Sequence, residues 1–455
     1  MKGRAWLAAV LAIGAVARLS AQDTATIDRG VRIGIYYRPG VRPGMVLLPD
    51  RNASLDSARV ILARDLDLSD RFEMITLPGG DSIHVTSSSP TSGSPAGTHS
   101  RPADPAPLNY QLYQALGADF AIALSVAGDS TAIAVHDVAA GSVRRTIKGR
   151  LPALTDPAFR MSVHRLADRV VDATLGAPGI AATRILFVMA GKLYVIDEDG
   201  AALTEVRTTA DREILSPAWD RDGRRFAYME FVSGHGQLFL QDGAGGKRRA
   251  LTNGATLDFT PTFAPDGKTL AFSRAVEEGT DVYTINIRDN CCLQRLTVGR
   301  FSDNLSPTYS PDGQRIAYVS TRPGLPQIYV MGADGTDQEL FAPFDYGVTG
   351  SSNAPDWSPD GRSLAFHRDV GGTLQVFVMD ARTRTVRQLT SLGRNEDPTW
   401  APDSRHLAFV SDRAGYRQLW VIDVETGRIR PLLQQSGGRL PAWSPRLPEA
   451  GPATP

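Results

Sequence analysis

At 455 residues the chain is longer than one hydrophobic core usually supports, so two domains are expected. Lys plus Arg and Asp plus Glu number 49 each, and that balance argues against nucleic acid or an anionic membrane as the main partner. The only two cysteines, Cys291 and Cys292, are neighbours, which excludes a disulfide framework and leaves two idle thiols as the simpler reading.

The chain opens with Met1-Lys-Gly-Arg4, an apolar run over residues 5–17, and Arg18-Leu-Ser-Ala21. That run is about 13 residues, against the roughly 20 needed to span a bilayer, and small Ala21 suits a cleavage site. Residues 1–21 therefore read as a secretory signal peptide, and the rest as a soluble, exported protein.

Residues 22–178 have the grammar of an α/β domain. Residues 31–36, 44–48 and 72–75 read as strands, and 56–66 as an amphipathic helix. Residues 86–107 are Ser, Thr, Pro and Gly with almost no apolar content, so they are expected to form a disordered surface loop. A helix at 110–116, a strand at 119–125 and a hairpin through 131–147 follow. The last helix, 157–175, carries Phe159, Val163, Leu166, Val170 and Ala173 in one stripe that suits packing on a sheet. Ala177-Pro-Gly-Ile180 reads as an inter-domain hinge.

Beyond it the sequence repeats itself. SPAWDRDGRRFAY from Ser216 recurs as TPTFAPDGKTLAF, SPTYSPDGQRIAY, APDWSPDGRSLAF and DPTWAPDSRHLAF, with its proline at 217, 261, 307, 355 and 398. A spacing of about 45 residues is that of one four-stranded propeller blade. Pro-x-aromatic reads as a first strand, Asp-Gly as a tight turn, and the next two apolar runs as second and third strands. The second and third strands at Arg184–Val188 and Lys192–Val195 have no first strand before them. Pro441-Ala-Trp443, near the other end, is a first strand with nothing after it. The expected fold is thus an α/β N-terminal domain plus an all-β six-bladed β-propeller over residues 180–446, with a split blade closing the ring and a frayed tail over 447–455.

Catalytic motifs are missing from this sequence. It contains no Gly-x-Ser-x-Gly elbow, His-Glu-x-x-His, Walker loop or dinucleotide fingerprint, and too few residues follow the repeats for a hydrolase domain. His235, His367 and His406 fall at non-equivalent positions, so no shared metal is expected. Asp222, Asp266, Asp312, Asp360 and Asp403 recur at the turns, where they should cap backbone. No catalytic residue, metal or cofactor is assigned.

A binding surface remains. Loops entering the first strands converge on one mouth of a propeller channel, which selects Leu257, Asp258, Phe259, Thr260, Asn304, Leu305, Ser306, Asn353, Asn395, Glu396, Asp397 and Arg439. Their mix of polar and aromatic groups suits a protein partner.

The signal peptide, the Val31-Arg-Ile33 start, Thr183-Arg-Ile-Leu-Phe-Val188, the Pro-Asp-Gly repeats and the closing Pro441-Ala-Trp-Ser-Pro-Arg-Leu447 together resemble the TolB proteins of the Gram-negative Tol-Pal envelope system. The resemblance covers nearly all of the chain after the signal peptide. It implies a monomeric periplasmic adaptor that docks a Pal-type peptidoglycan-associated lipoprotein at the propeller mouth. It also implies that a TolA-type protein binds the segment after cleavage, here Gln22, Asp23, Ile27, Val31 and Ile33. The implied role is outer-membrane integrity and cell division, with no nucleic acid and with membrane association only through partners. The competing reading is an extracytoplasmic propeller enzyme, such as a carbohydrate lyase, or a sensor of wall fragments. The 86–107 insertion and the identities of the mouth residues depart from the family pattern.

Overall fold

The computed structural model describes residues 42–49, 55–77, 108–127, 130–208, 212–344 and 350–448. The expected signal peptide, the strand at 31–36, the loop at 86–107 and nearly all of the tail lie outside the described residues.

The first region contains β1 (Gly44–Leu47), α1 (Asp56–Leu68), β2 (Glu73–Ile75), α2 (Tyr110–Ala115), β3 (Ala118–Ala127), β4 (Ser130–Asp137), β5 (Ser142–Gly149) and α3 (Phe159–Leu175). The strands form one sheet in the order β2-β1-β3-β4-β5, with β1 parallel to both its neighbours and the rest antiparallel. Helices α1 and α3 bury Leu62, Leu66, Val163, Leu166 and Val170 against Phe120, Ile122 and Ile133 of the sheet. The apolar stripe read on α3 is buried throughout, from Phe159 to Ala173. The helix ends where Gly176 takes φ 63°, a left-handed cap that glycine adopts without a Cβ penalty. No described helix is long and apolar enough to cross a membrane.

The segment read as a hinge is tied down. The Asp168 carboxylate of α3 accepts the Ala181 and Ala182 backbone N–H groups at 2.8 and 3.1 Å. A Cβ on Gly179 would collide with that same side chain, so this glycine permits the close approach.

The second region is built from four-stranded units. They comprise β6 (Arg184–Met189), β7 (Lys192–Asp197) and β8 (Thr204–Glu205); β9 (Ile214–Trp219), β10 (Arg225–Val232), β11 (His235–Asp242) and β12 (Arg248–Ala250); β13 (Asp258–Phe263), β14 (Thr269–Val276), β15 (Gly279–Asn286) and β16 (Cys291–Arg295); β17 (Ser302–Tyr309), β18 (Arg315–Ser320), β19 (Gln327–Gly332) and β20 (Glu339–Leu340); β21 (Ser352–Trp357), β22 (Ser363–Val370), β23 (Thr373–Asp380) and β24 (Val386–Gln388); β25 (Asn395–Trp400), β26 (His406–Ser411), β27 (Gln418–Asp423) and β28 (Ile429–Pro431); and β29 (Arg439–Trp443). Within each unit the strands are antiparallel neighbours in order, as four-stranded meanders require. The final strand β29 pairs with β6, with Ala442 opposite Leu186 and Trp443 opposite Ile185. A short parallel contact, Gly279 to Ser302 and Thr280 to Asp303, joins β15 to β17 and merges two units into one eight-stranded sheet.

The repeated Asp residues act as turn caps: Asp266 accepts the N–H groups of Lys268 and Thr269, Asp312 that of Gln314, and Asp360 that of Arg362. In the first repeat Asp220, two residues ahead of Asp222, takes that role through Arg224 and Arg225.

Candidate partner-binding site at the channel mouth

The six first strands, β9, β13, β17, β21, β25 and β29, jointly line one central cavity of about 420 Å³. Each holds a proline that cannot donate to its neighbour, and each resolves this with a bulge: three steps along the first strand match two along the second. The residue before the proline carries the distortion. Ser216, Thr260, Ser306, Ala354, Asp397 and Leu440 all have positive φ, from 46° at Thr260 to 54° at Ser306. A left-handed backbone is costly for side-chain-bearing residues, yet here it recurs around the whole lumen and turns these side chains toward it.

Three layers follow from this register. One residue further toward the mouth are Leu215, Phe259, Leu305, Asn353, Glu396 and Arg439, all half-buried. Three neighbouring strands thus supply apolar groups and the other three supply polar ones. Glu396 is held by Arg394 at 3.0 Å and Arg417 at 3.2 Å, and Arg439 by Glu213 at 2.7 Å. One residue beyond, Asp258, Asn304 and Asn395 are fully buried. This corrects the expectation that they ring an open surface. Asp258 forms a two-pronged ion pair with Arg274 at 2.7 and 2.9 Å. Asn304 bonds Asp281 and Ser320, and Asn395 bonds Gln375 and Arg413.

The lumen is electrostatically uneven. Burial pushes Asp397 up to about 7, and the adjacent Glu396 charge adds to the rise against Arg417, Arg394 and Arg439. That side chain is about 24% exposed and borders the cavity. Burial likewise raises Asp356 to about 6, although Trp400 N–H donates to it at 2.7 Å. His367 is lowered to about 4 by burial and by the Arg394 charge, and its neutral Nδ1 accepts the Asp397 N–H at 3.1 Å.

Because strands alternate in direction, the turns between second and third strands lie at the same end as the loops entering the first strands. That end gathers exposed apolar side chains. Phe301 is 87% exposed and Val298 71%, and Leu257, Leu325, Leu392 and Tyr416 share the same face. The opposite end meets the α/β region, through contacts of Asp70 and Arg71 with Arg405, His406 and Asp403. Sequence reading selected only Leu257 from this apolar set. The remaining members are single hydrophobics in turn-rich loops, a weak signal.

His235 begins β11 rather than lying in a loop, His367 is buried on β22 where it accepts the Asp397 N–H, and His406 is buried at the α/β contact, so the three stand apart. Cys291 and Cys292 are free thiols on β16, half-buried and exposed. The N-terminal candidates Gln22, Asp23, Ile27, Val31 and Ile33 lie outside the described residues.

Residues 172–343 and 346–448 match the family model described as the TolB beta propeller domain. The chain belongs to the TolB β-propeller family. Among curated TolB-named relatives, the Tol-Pal system protein TolB of Bordetella pertussis is 28% identical over 198 residues, 42% of this chain and 45% of that relative. The matched segment is thus less than half of the relative's length. The crystal structure of TolB from Acinetobacter baumannii superposes with a TM-score of 0.73 at 22% identity, covering 90% of this chain and 98% of that one. Hydrazine synthase of Kuenenia stuttgartiensis matches at TM-score 0.50 and 14% identity, covering 60% of this chain and 49% of the other, so part of this chain shares its fold with part of that protein.

Proposed function

We propose that this chain is a non-catalytic, periplasmic adaptor of the Tol-Pal type, monomeric by itself. A Pal-type lipoprotein docks on the mouth face and a TolA-type protein binds the segment from Gln22 to Tyr36, in support of outer-membrane integrity and cell division. In this reading the units form six blades, with β29 supplying the first strand of the blade completed by β6, β7 and β8. The observation that carries the docking face is the gathering of exposed apolar groups at one end of the channel while the α/β region makes its contacts at the other. Large exposed hydrophobics rimmed by charge mark protein interaction sites, and aromatic anchors dominate their energetics. The separate placement of His235, His367 and His406 speaks against the lyase-like alternative.

The test is a binding titration with the Pal-type lipoprotein of the same organism. Phe301→Ala and Phe259→Ala should each weaken binding about tenfold or more, roughly 1.4 kcal/mol, and Glu396→Lys should do the same. Leu340→Ala, on an outer strand, should leave it unchanged. Equal affinity in all four variants sinks the assignment of this face.

A further inference from the structure

The contact between the α/β region and the propeller contains two buried histidines in mirror-image settings. His164 belongs to α3. Its Nδ1 lies 2.7 Å from Asp65 of α1, on its own side, and its Nε2 lies 3.7 Å from Asp197 at the end of β7, across the contact. His406 belongs to β26. Its Nδ1 lies 2.8 Å from Asp403, on its own side, and its Nε2 lies 3.3 Å from Asp70, just past α1, across the contact. Both imidazoles are completely buried. Asp70 adopts φ 53°, so the chain accepts a strained backbone where it meets His406.

We propose that these histidines form a reciprocal proton clasp: the α/β region stays seated on the propeller because each imidazole carries the charge demanded by one carboxylate from either side, and loss of either proton unseats it. A neutral imidazole has one N–H and one lone pair, so it satisfies one flanking carboxylate and opposes the other. A buried carboxylate left without its partner is strongly destabilising.

The surrounding charges fit this account. Around His164, Asp197 is also held by Arg184 at 2.9 Å, Arg160 reaches Asp197 and Asp199, and Arg64 lies 3.8 Å from Asp199. Around His406, Arg428 binds Asp70 at 2.6 Å, Arg71 binds Asp403 at 3.3 Å, and Arg405 binds Asp423, whose charge also faces the ring. Burial lowers Arg430, which neighbours Asp70, Asp67 and Arg64, to about 10, so below that pH the imidazoles are the cations of this contact that lose their charge. Burial alone would lower both histidines. The Asp197 carboxylate 3.7 Å away and the hydrogen bond to Asp65 raise His164 to about 9 instead, and the Asp403 charge with bonds to Asp403 and Asp70 raises His406 to about 9. Each group, Asp65-His164-Asp199 and Asp70-His406-Asp423, also lies close enough to suit a divalent metal, which makes metal the rival occupant. The arginines already beside these carboxylates favour a proton over a doubly charged ion.

Calorimetry on the purified chain tests the clasp. One cooperative transition is expected at pH 7, splitting into two above about pH 9. His164→Gln and His406→Gln should each show two transitions already at pH 7, with no further splitting up to pH 10. A single transition persisting to pH 10.5 in the natural chain overturns the proposal, as does splitting at an unchanged pH in both variants. Splitting on addition of a chelator at pH 7, reversed by zinc, assigns the groups to metal and also overturns it. Should the variants not fold, NMR of histidine-labelled chain decides: two of the seven imidazoles must remain charged at pH 8, and fewer than two doing so rejects the clasp.

Discussion

Asp397 concentrates the features that distinguish this site: a left-handed backbone at φ 53°, a side chain in the lumen, and a carboxyl raised to about 7. A carboxyl raised in the folded chain is penalised on ionising, so its contribution declines as the pH climbs from about 4 to about 7. Asp397→Asn should therefore raise the unfolding free energy by about 1 kcal/mol at pH 8 and leave it unchanged at pH 4, as measured by denaturant melts at the two values. Backbone strain has a separate signature. Ala354 sits at φ 49°, where a β-branched side chain is least tolerated, so Ala354→Val should cost about 1–2 kcal/mol by the same measurement. The residues before each proline were legible as candidates from the repeat. Their positive φ was not, because Ser, Thr, Ala, Asp and Leu share no local preference for it; the strand pairing imposes the bulge.

Among the strands, the Pro-x-aromatic pattern and the Asp-Gly turns marked first and second strands reliably, since alternation and turn chemistry are local properties. The partners of Asp258, Asn304 and Asn395 were not readable, because they lie 16 to 23 residues away, on second and third strands and the turns between them. These polar groups tie the mouth ends of the strands together from inside. Asp258→Ala leaves the Arg274 guanidinium, 15% exposed, without its carboxylate, and should lower stability by about 3 kcal/mol. Its effect on partner binding should vanish at temperatures where the variant is fully folded. The last strand carries a comparable burden. Trp443 donates its indole N–H to Thr183 at 2.8 Å, and β29 shields the edge of β6. Truncation after Gly438 should expose that edge and abolish the cooperative melt, and an unchanged calorimetric transition would contradict this.

The two ends of the channel are in opposite conditions: at one the α/β region contacts the units of β6–β8 and β25–β28, and the other is exposed and apolar. The histidines at the α/β contact set an alkaline limit. A raised histidine contributes fully below its unfolded value near 6.5, and that contribution disappears as the pH rises through about 9. Carboxylates such as Asp403, held well below the usual range by His406 and Arg71 despite burial, set the acid limit and lose their contribution as the pH falls below about 4. Stability of the contact should accordingly be greatest between about pH 4.5 and 7. The sequence by itself determined the α/β alternation, the period of the repeats, the turn caps and the region in which the mouth lies, because each follows from spacing and short-range propensity. Only the tertiary structure decided which mouth residues are open and which are buried, that Phe301 and its neighbours share one face, and that His164 and His406 meet carboxylates from the other region. Those outcomes depend on groups far apart along the chain, brought together by packing that no local pattern encodes.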